Sequence, residues 1–358
     1  MSKSILITGS EGYLGSVLVP FLIKKGFSVT GIDTCFFNEF RLDFKDYKNQ
    51  YKFIKSDVRD ITEDDLNNID VVVHLAGISN DPMSKMDSKK VYDPTRIYTK
   101  NLAKLCKSKG IRFIFASSCS VYGIGNNELL TEISKVNPQT GYSLNKYQIE
   151  KDLEELSDNN FSPIALRFAT VFGPSPNMRF DIVINMLVGM AKTKNQIILN
   201  SDGQSWRPNL HIYDLCEAIY KSIVFEYKEK QLLILNIGDE SNNLKIIDIA
   251  KLIQNCLPGT NLEFLSDNPD IDEDNLIKDR KVDGRDTRTY KVSFVKARKT
   301  LPEFKCQWSV EKGIIDMLNY FSKVDLDKNK YTNKCFYRLQ QLEYLLDSKK
   351  ITENLRWN

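Results

Sequence analysis

Through its first half the chain alternates two hydrophobic patterns. Short runs of strand-forming residues fall at 5–8, 27–32, 51–56, 71–75 and 112–117, most of them largely apolar. Between them lie stretches whose apolar residues recur at helical spacing: Leu14, Val17, Leu18, Phe21 and Leu22 first, then segments 91–108 and 141–157. Continuous apolar runs of this length fit strands buried on both faces, and the recurring stretches fit helices that cover them. Strand and helix in alternation predict an α/β chain with a doubly wound parallel sheet of the Rossmann type, which binds ligands at the carboxyl ends of its strands. Small and polar residues gather at those ends: Asp33, Asp57 with Val58, Leu75 with Ala76 and Gly77, and Ser117 with Ser118.

The second half is less regular. A strand at 162–168 enters a loop with Gly173, Pro174 and Pro176, a helix starts near Ile182, and a segment with Asp202, Gly203 and residues 206–214 follows. The expected organisation is a dinucleotide domain at 1–165, to which the chain returns at about 210–240, and a smaller α/β substrate lobe at 166–209 and 241–322. Residues 267–286, rich in Asp and Lys, read as a solvated surface loop. A helical tail at 323–358 carries Phe336, Leu339, Leu342 and Leu346 at helical spacing. That stripe reads as a helix docked on its own core or on a partner subunit rather than as a cofactor element.

Between the first strand and the first helix stand Gly9, Gly12 and Gly15. In a dinucleotide cradle the first glycine lets the chain leave the strand tightly. The second lets the backbone approach a pyrophosphate, and the third lets the helix pack on the sheet. The phosphates then rest on the helix N-terminus, here at Tyr13 and Leu14, where unpaired N–H groups favour negative charge. Asp33 closes the second strand at the distance where a carboxylate accepts hydrogen bonds from an adenosine ribose diol. A carboxylate there also repels a 2′-phosphate, and no basic residue follows until Arg41. The expected cofactor is NAD rather than NADP, the alternative being an Asp that only opens a turn or caps a helix.

Composition narrows the function classes. The 50 basic and 47 acidic residues leave a formal net charge of +3 and are spread along the chain, so nucleic acid is not an expected partner. No apolar stretch approaches the roughly 18–20 residues needed to span a bilayer, and the early first strand leaves no room for a signal segment. The seven cysteines include no C-x-x-C pair and there are two histidines, so neither structural zinc nor a disulfide framework is expected; a reduced, cytoplasmic setting is.

Tyr142 and Lys146 stand four apart in GYSLNKYQIEK, on one face of a helix. An ammonium beside a phenol stabilises the phenolate and makes it a better general base. The pair is common by chance, and gains meaning here from the upstream cradle and from Ser118 at the end of a strand between them.

The cradle, Asp33, Asp57-Val58, HLAG at 74–77, SSCSVYG at 117–123 and Tyr142-x-x-x-Lys146 occur in that order. Together they resemble the extended short-chain dehydrogenase/reductases that act on nucleotide sugars, a likeness that continues through RFATVFGPSP, the segment 207–215 and the closing DTRTYKVSFVKARKTLP. The resemblance implies Tyr142 as catalytic base and acid, Lys146 as the holder of the nicotinamide ribose, and Ser118 as the hydrogen-bond partner of the reacting sugar oxygen. It implies a nucleotide-diphosphate sugar as substrate and hydride transfer at a sugar carbon, most often C4, through a keto sugar. Ser120, Thr170, Arg179, Arg207 and Arg288 match substrate-side positions, and His74 and His211 match framework positions. It also implies a homodimer formed through helices 91–108 and 141–157.

Departures from the family pattern narrow the chemistry. Dehydratases carry Asp then Glu after the catalytic hydroxyl residue, whereas this chain has Cys119 and Ser120, which disfavours 4,6-dehydration. The epimerase-reductases that make GDP-fucose use a Cys where Ser120 stands, and Cys119 is read as a packing residue. Thr95 and Thr170 replace the asparagines of many relatives. LRFATVFGPSPNMRFDIVINML is similar to GDP-heptose 4-dehydrogenases, so a 4-dehydrogenase or 4-keto reductase without epimerisation is the alternative. A non-catalytic NAD-binding protein on the same fold is the alternative of a different class.

Overall fold

The computed structural model describes residues 3–43, 51–78, 88–227, 229–264 and 288–358. The stretch 267–286, read above as a surface loop, lies outside them. The first lobe runs β1 (Ser4–Thr8), α1 (Gly15–Lys24), β2 (Ser28–Asp33), β3 (Lys52–Lys55), β4 (Val71–His74), α2 (Ser88–Lys109), β5 (Arg112–Ser118), β6 (Ile124–Leu130), α3 (Gly141–Leu156) and β7 (Ile164–Phe168). The second lobe contributes β8 (Thr170–Phe172), α4 (Val183–Lys194), β9 (Gln196–Leu199) and β10 (Trp206–His211). After α5 (Ile212–Val224), β11 (Leu233–Ile237) rejoins the first lobe beside β7. Then come β12 (Asn243–Lys245), α6 (Ile246–Cys256), β13 (Asn261–Phe264), β14 (Thr289–Val292), α7 (Val295–Thr300), α8 (Val310–Lys323), α9 (Lys328–Tyr331) and α10 (Arg338–Asp347).

The main sheet has seven strands in the order β11-β7-β5-β4-β1-β2-β3, all parallel. Side-chain alternation along each strand sorts the core into two layers. Ile5, Ile7, Val71 and Val73 join α1 and α5 in one cluster, while Leu6, Val72, Phe113 and Phe115 join Leu102 of α2 and Ile149 and Leu153 of α3 in the other. The chain winds outward from β1 to β3 and then returns to the other side of β1 with β4. That reversal opens a crevice between the carboxyl ends of β1 and β4, the place where such sheets bind ligands.

Gly9 follows β1 at φ +75°, and a Cβ there would stand 2.9 Å from the Ala76 backbone nitrogen just after β4. Only glycine satisfies both the backbone angle and the close approach. At Gly15 a side chain would collide with the Gly9 carbonyl and the Ser10 backbone, so α1 packs tightly under the cradle.

The tail corrects two expectations. Phe336 belongs to a single 3-10 turn before α10, and the buried stripe of the helix is Leu339, Leu342 and Leu345, with Leu346 only partly buried. The stripe packs on Phe36, Val91 and Tyr92 of the first lobe, as a docked helix should, but the docking brings the tail onto the rim of the ligand crevice. Arg338, Asn354 and Leu355 of the tail line the crevice.

Candidate active site

The crevice opens into a cavity of about 1070 Å³, larger than the roughly 300–1,000 Å³ that buries a drug-sized ligand. Its floor holds Gly9, Gly12, Tyr13, Leu14 and Gly15, where the Tyr13 and Leu14 N–H groups at the entry to α1 have no hydrogen-bond partner among the described residues. One end is lined by Asp33, Asp57 and Val58, the middle by Leu75, Ala76 and Gly77, and the opposite wall by Ser118, Ser120, Tyr142 and Lys146. Thr170, Arg179, Arg207 and Arg288 complete the lining from the second lobe. The fold thus brings to one cavity all the residues singled out from sequence as cofactor, catalytic or substrate candidates.

Asp33 is fixed by two backbone donors, Cys35 N–H to Oδ1 at 2.7 Å and Glu11 N–H to Oδ2 at 3.0 Å. Burial raises its pKa, and these two bonds pull in the opposite direction. Each oxygen keeps a further lone-pair direction, which suits a carboxylate that receives a diol. Asp57 caps the short turn that follows it through Arg59 N–H at 2.9 Å and pairs with the Arg59 guanidinium. The donors at the α1 terminus, the side-chain-free cradle and the anchored carboxylate together fit a dinucleotide with an unsubstituted ribose.

Helix α3 positions the chemistry. Thr140 caps it in a reciprocal arrangement with Ser143, whose N–H donates to Thr140 Oγ1 at 3.2 Å while Thr140 N–H donates to Ser143 Oγ at 3.1 Å. Tyr142 is in the first turn, and Lys146 lies one turn on with its ammonium 5.7 Å from the centre of the Tyr142 ring. Lys146 is buried and donates to the Ala116 carbonyl of β5 at 2.7 Å. Burial pushes its pKa down to about 8, with Glu150 acting in the opposite sense. Ser118 Oγ, at the end of β5, accepts the Ser120 N–H at 3.1 Å, which leaves its hydroxyl hydrogen to donate.

On the second lobe, Arg179 pairs with Asp181 at 2.8 Å and feels the charge of Tyr142. Arg207 is buried, lies over the Tyr290 ring, and donates to the carbonyls of Trp206 and Arg288. His74 is clamped between Thr8 Oγ1 at 2.7 Å and Thr99 Oγ1 at 2.9 Å, and burial drives its pKa down to about 3, so it is a neutral tie between β1, β4 and α2. His211 caps α5 and stacks on Trp308 at 4.1 Å. Cys119 is buried with its thiol on the Arg167 carbonyl at 3.1 Å, and burial raises its pKa, as suits a packing residue. Arg338, Asn354 and Leu355 are among the lining residues that sequence reasoning passed over, and they come from the tail. A usable signal was present: a cation in the first turn of a helix opposes the helix dipole, and Arg338 opens α10.

The model of the NAD dependent epimerase/dehydratase family matches residues 5–238, and the chain belongs to that family. An uncharacterized UDP-glucose epimerase of Bacillus subtilis is 31% identical over 260 residues, which cover 69% of this chain and 81% of the relative. The ADP-L-glycero-D-manno-heptose-6-epimerase of Brachyspira hyodysenteriae is 26% identical over 279 residues, covering 73% and 84%. Among solved structures, UDP-glucuronic acid 4-epimerase from Bacillus cereus, in complex with UDP-glucuronic acid and NAD, matches with a TM-score of 0.75 at 23% identity, over 90% of this chain and 99% of that one. The chain is an enzyme of this NAD-dependent class and its cofactor is NAD.

Proposed function

We propose that the protein oxidises a hydroxyl of a nucleotide-diphosphate sugar, at C4, to a ketone, and returns the hydride to the opposite face as an epimerase of surface-polysaccharide sugar synthesis. The observation that carries this reading is one cavity in which Ser118, Tyr142 and Lys146 face a dinucleotide cradle, with Arg179, Arg207 and Arg288 at the second-lobe end. When bound, NAD supplies the hydride acceptor. Ser118 donates to the reacting oxygen and orients the sugar. Tyr142 takes the hydroxyl proton as the C–H hydride departs, then gives it back on reduction. Lys146, while charged, would stabilise the tyrosinate and hold the nicotinamide ribose. The absence of an acidic pair after Ser118 leaves no group there to protonate a departing hydroxyl, which favours epimerisation over dehydration.

Incubating the purified enzyme with UDP-, GDP-, dTDP- and CDP-sugars and reading products by NMR tests the proposal. A C4-inverted sugar without net formation of NADH is the expected result; a 4-keto product with stoichiometric NADH, or no turnover of any sugar nucleotide, overturns epimerisation. For the reactive sugar nucleotide, Arg207→Ala should weaken binding by about 2 kcal/mol, roughly thirtyfold, the scale of losing a buried charged contact, with NAD affinity unchanged. Calorimetric titration of both ligands checks it. We also infer a homodimer through α2 and α3, which pack side by side through Arg96 and Lys100 on Asp152 and expose Ile97 and Leu144.

A further inference from the structure

Arg338 opens α10 in the tail and is only 5% exposed. Its guanidinium lies 4.2 Å from the centre of the Phe37 ring and donates once, to the Cys335 carbonyl at 3.0 Å. Among the described residues no carboxylate is within ion-pair distance of it. Its backbone N–H goes to Asp181 Oδ2 at 3.2 Å, but the Asp181 carboxylate is paired with Arg179. The Asp181 carboxylate is thus committed to the Arg179 guanidinium and to the Arg338 backbone, and the Arg338 guanidinium sits in the cavity wall without an ion-pair partner among the described residues. Burial and the charge of Arg179 push the pKa of Arg338 down to about 9. A buried cation of this kind is costly unless an anion completes its surroundings.

The position specifies which anion. Arg338 lines the cavity together with Asp33, Arg179 and Tyr142, and it feels the charges of Asp33 and Arg179. The adenosine ribose end and the redox end of a dinucleotide are marked by Asp33 and Tyr142, and the diphosphate joins them. The rest of the tail is tied to the same end of the cleft. Trp357 Nε1 donates to the Thr34 carbonyl at 2.6 Å, next to Asp33, and Gln341 Nε2 donates to the Phe36 carbonyl at 3.0 Å. Arg59, beside Val58, donates to the carbonyls of Asn354 at 2.7 Å and Leu355 at 2.5 Å.

We propose that Arg338 is a diphosphate receptor of the cofactor site, delivered by the C-terminal tail opposite the Gly9–Gly15 cradle, so that the tail forms part of the NAD site. A guanidinium offers paired donors to phosphate oxygens that a lysine cannot match. The sugar nucleotide also carries a diphosphate, and the test separates the two.

NAD, adenosine, UDP-glucose and GDP-mannose are titrated calorimetrically into the enzyme and into Arg338→Met and Arg338→Lys, with ligand-free melting curves showing which variants fold. In a variant with the native melting temperature, NAD affinity should fall tenfold or more for Met and by less for Lys. Adenosine, which carries no phosphate, and both sugar nucleotides should change by less than twofold. NAD affinity within twofold of native in the folded variants overturns the proposal. So does a loss shared equally by adenosine, which would mark a collapsed adenosine pocket, or one confined to the sugar nucleotides. These readouts need no turnover, so they stand whatever sugar the enzyme converts.

Discussion

Tyr142→Phe should reduce turnover of the sugar nucleotide by about 10²–10⁴-fold, the range a positioned general acid–base contributes, and leave NAD binding nearly intact. The substitution removes one oxygen from a half-buried side chain in the first turn of α3, whose Thr140–Ser143 cap does not involve the phenol. Little packing is lost, so the melting temperature should hold. The effect should appear in kcat and in kcat/KM alike, because the proton transfer occurs only in the transition state. Steady-state kinetics with the sugar nucleotide identified by the substrate panel, alongside calorimetric titration of NAD, checks both halves. Turnover within tenfold of native would place the base elsewhere in the cavity, and loss of NAD affinity would make Tyr142 a binding residue instead.

The residues that were legible in the sequence owe it to local constraint. Gly9 has to be glycine because of its own φ and because Ala76 crosses it; the spacing from Gly9 to Gly15 follows from one strand-to-helix turn. Tyr142 and Lys146 read as a pair because four residues make one helical turn. Asp33 and Ser118 end strands, and in a parallel sheet all such ends face the same side. For Arg338 the only local signal is a cation in the first turn of a helix, which says nothing of where that helix docks, and Leu355 has none. They reach the cavity through contacts spanning most of the chain, such as Gln341 on Phe36 and Trp357 on Thr34, and an amphipathic stripe says that a helix docks without saying where. Arg207 shows the converse: its place on the second lobe was anticipated, but its hold on the Arg288 carbonyl depends on β10 and the segment before β14 meeting.

Loss of the Glu150 carboxylate should destabilise the fold by about 3–5 kcal/mol, the cost of leaving one member of a buried ion pair uncompensated. Glu150 is on α3, one turn beyond Lys146, and takes Arg167 of β7 through Nε at 2.9 Å and Nη2 at 2.7 Å, with Ser117 Oγ of β5 at 2.5 Å. Burial disfavours the Arg167 charge, yet the Glu150 carboxylate outweighs it and holds the guanidinium pKa above its ordinary value. Arg167 Nη1 continues to the Tyr122 hydroxyl at 2.9 Å, which donates to Asn236 Oδ1 of β11 at 2.8 Å. One carboxylate thus joins the helix that carries Tyr142 and Lys146 to the strand that ends in Ser118. In Glu150→Ala the stranded arginine should appear as a lower denaturant midpoint with an unchanged m-value. The double variant Glu150→Leu with Arg167→Met should recover much of the loss, because an apolar pair avoids the desolvation that a lone charge suffers. Its activity should remain low even so, since the bonds that fix α3 against Ser117 would be gone. Equal stability of Glu150→Ala and the native enzyme in urea titration would show that solvent reaches Arg167 and that the joint is not sealed.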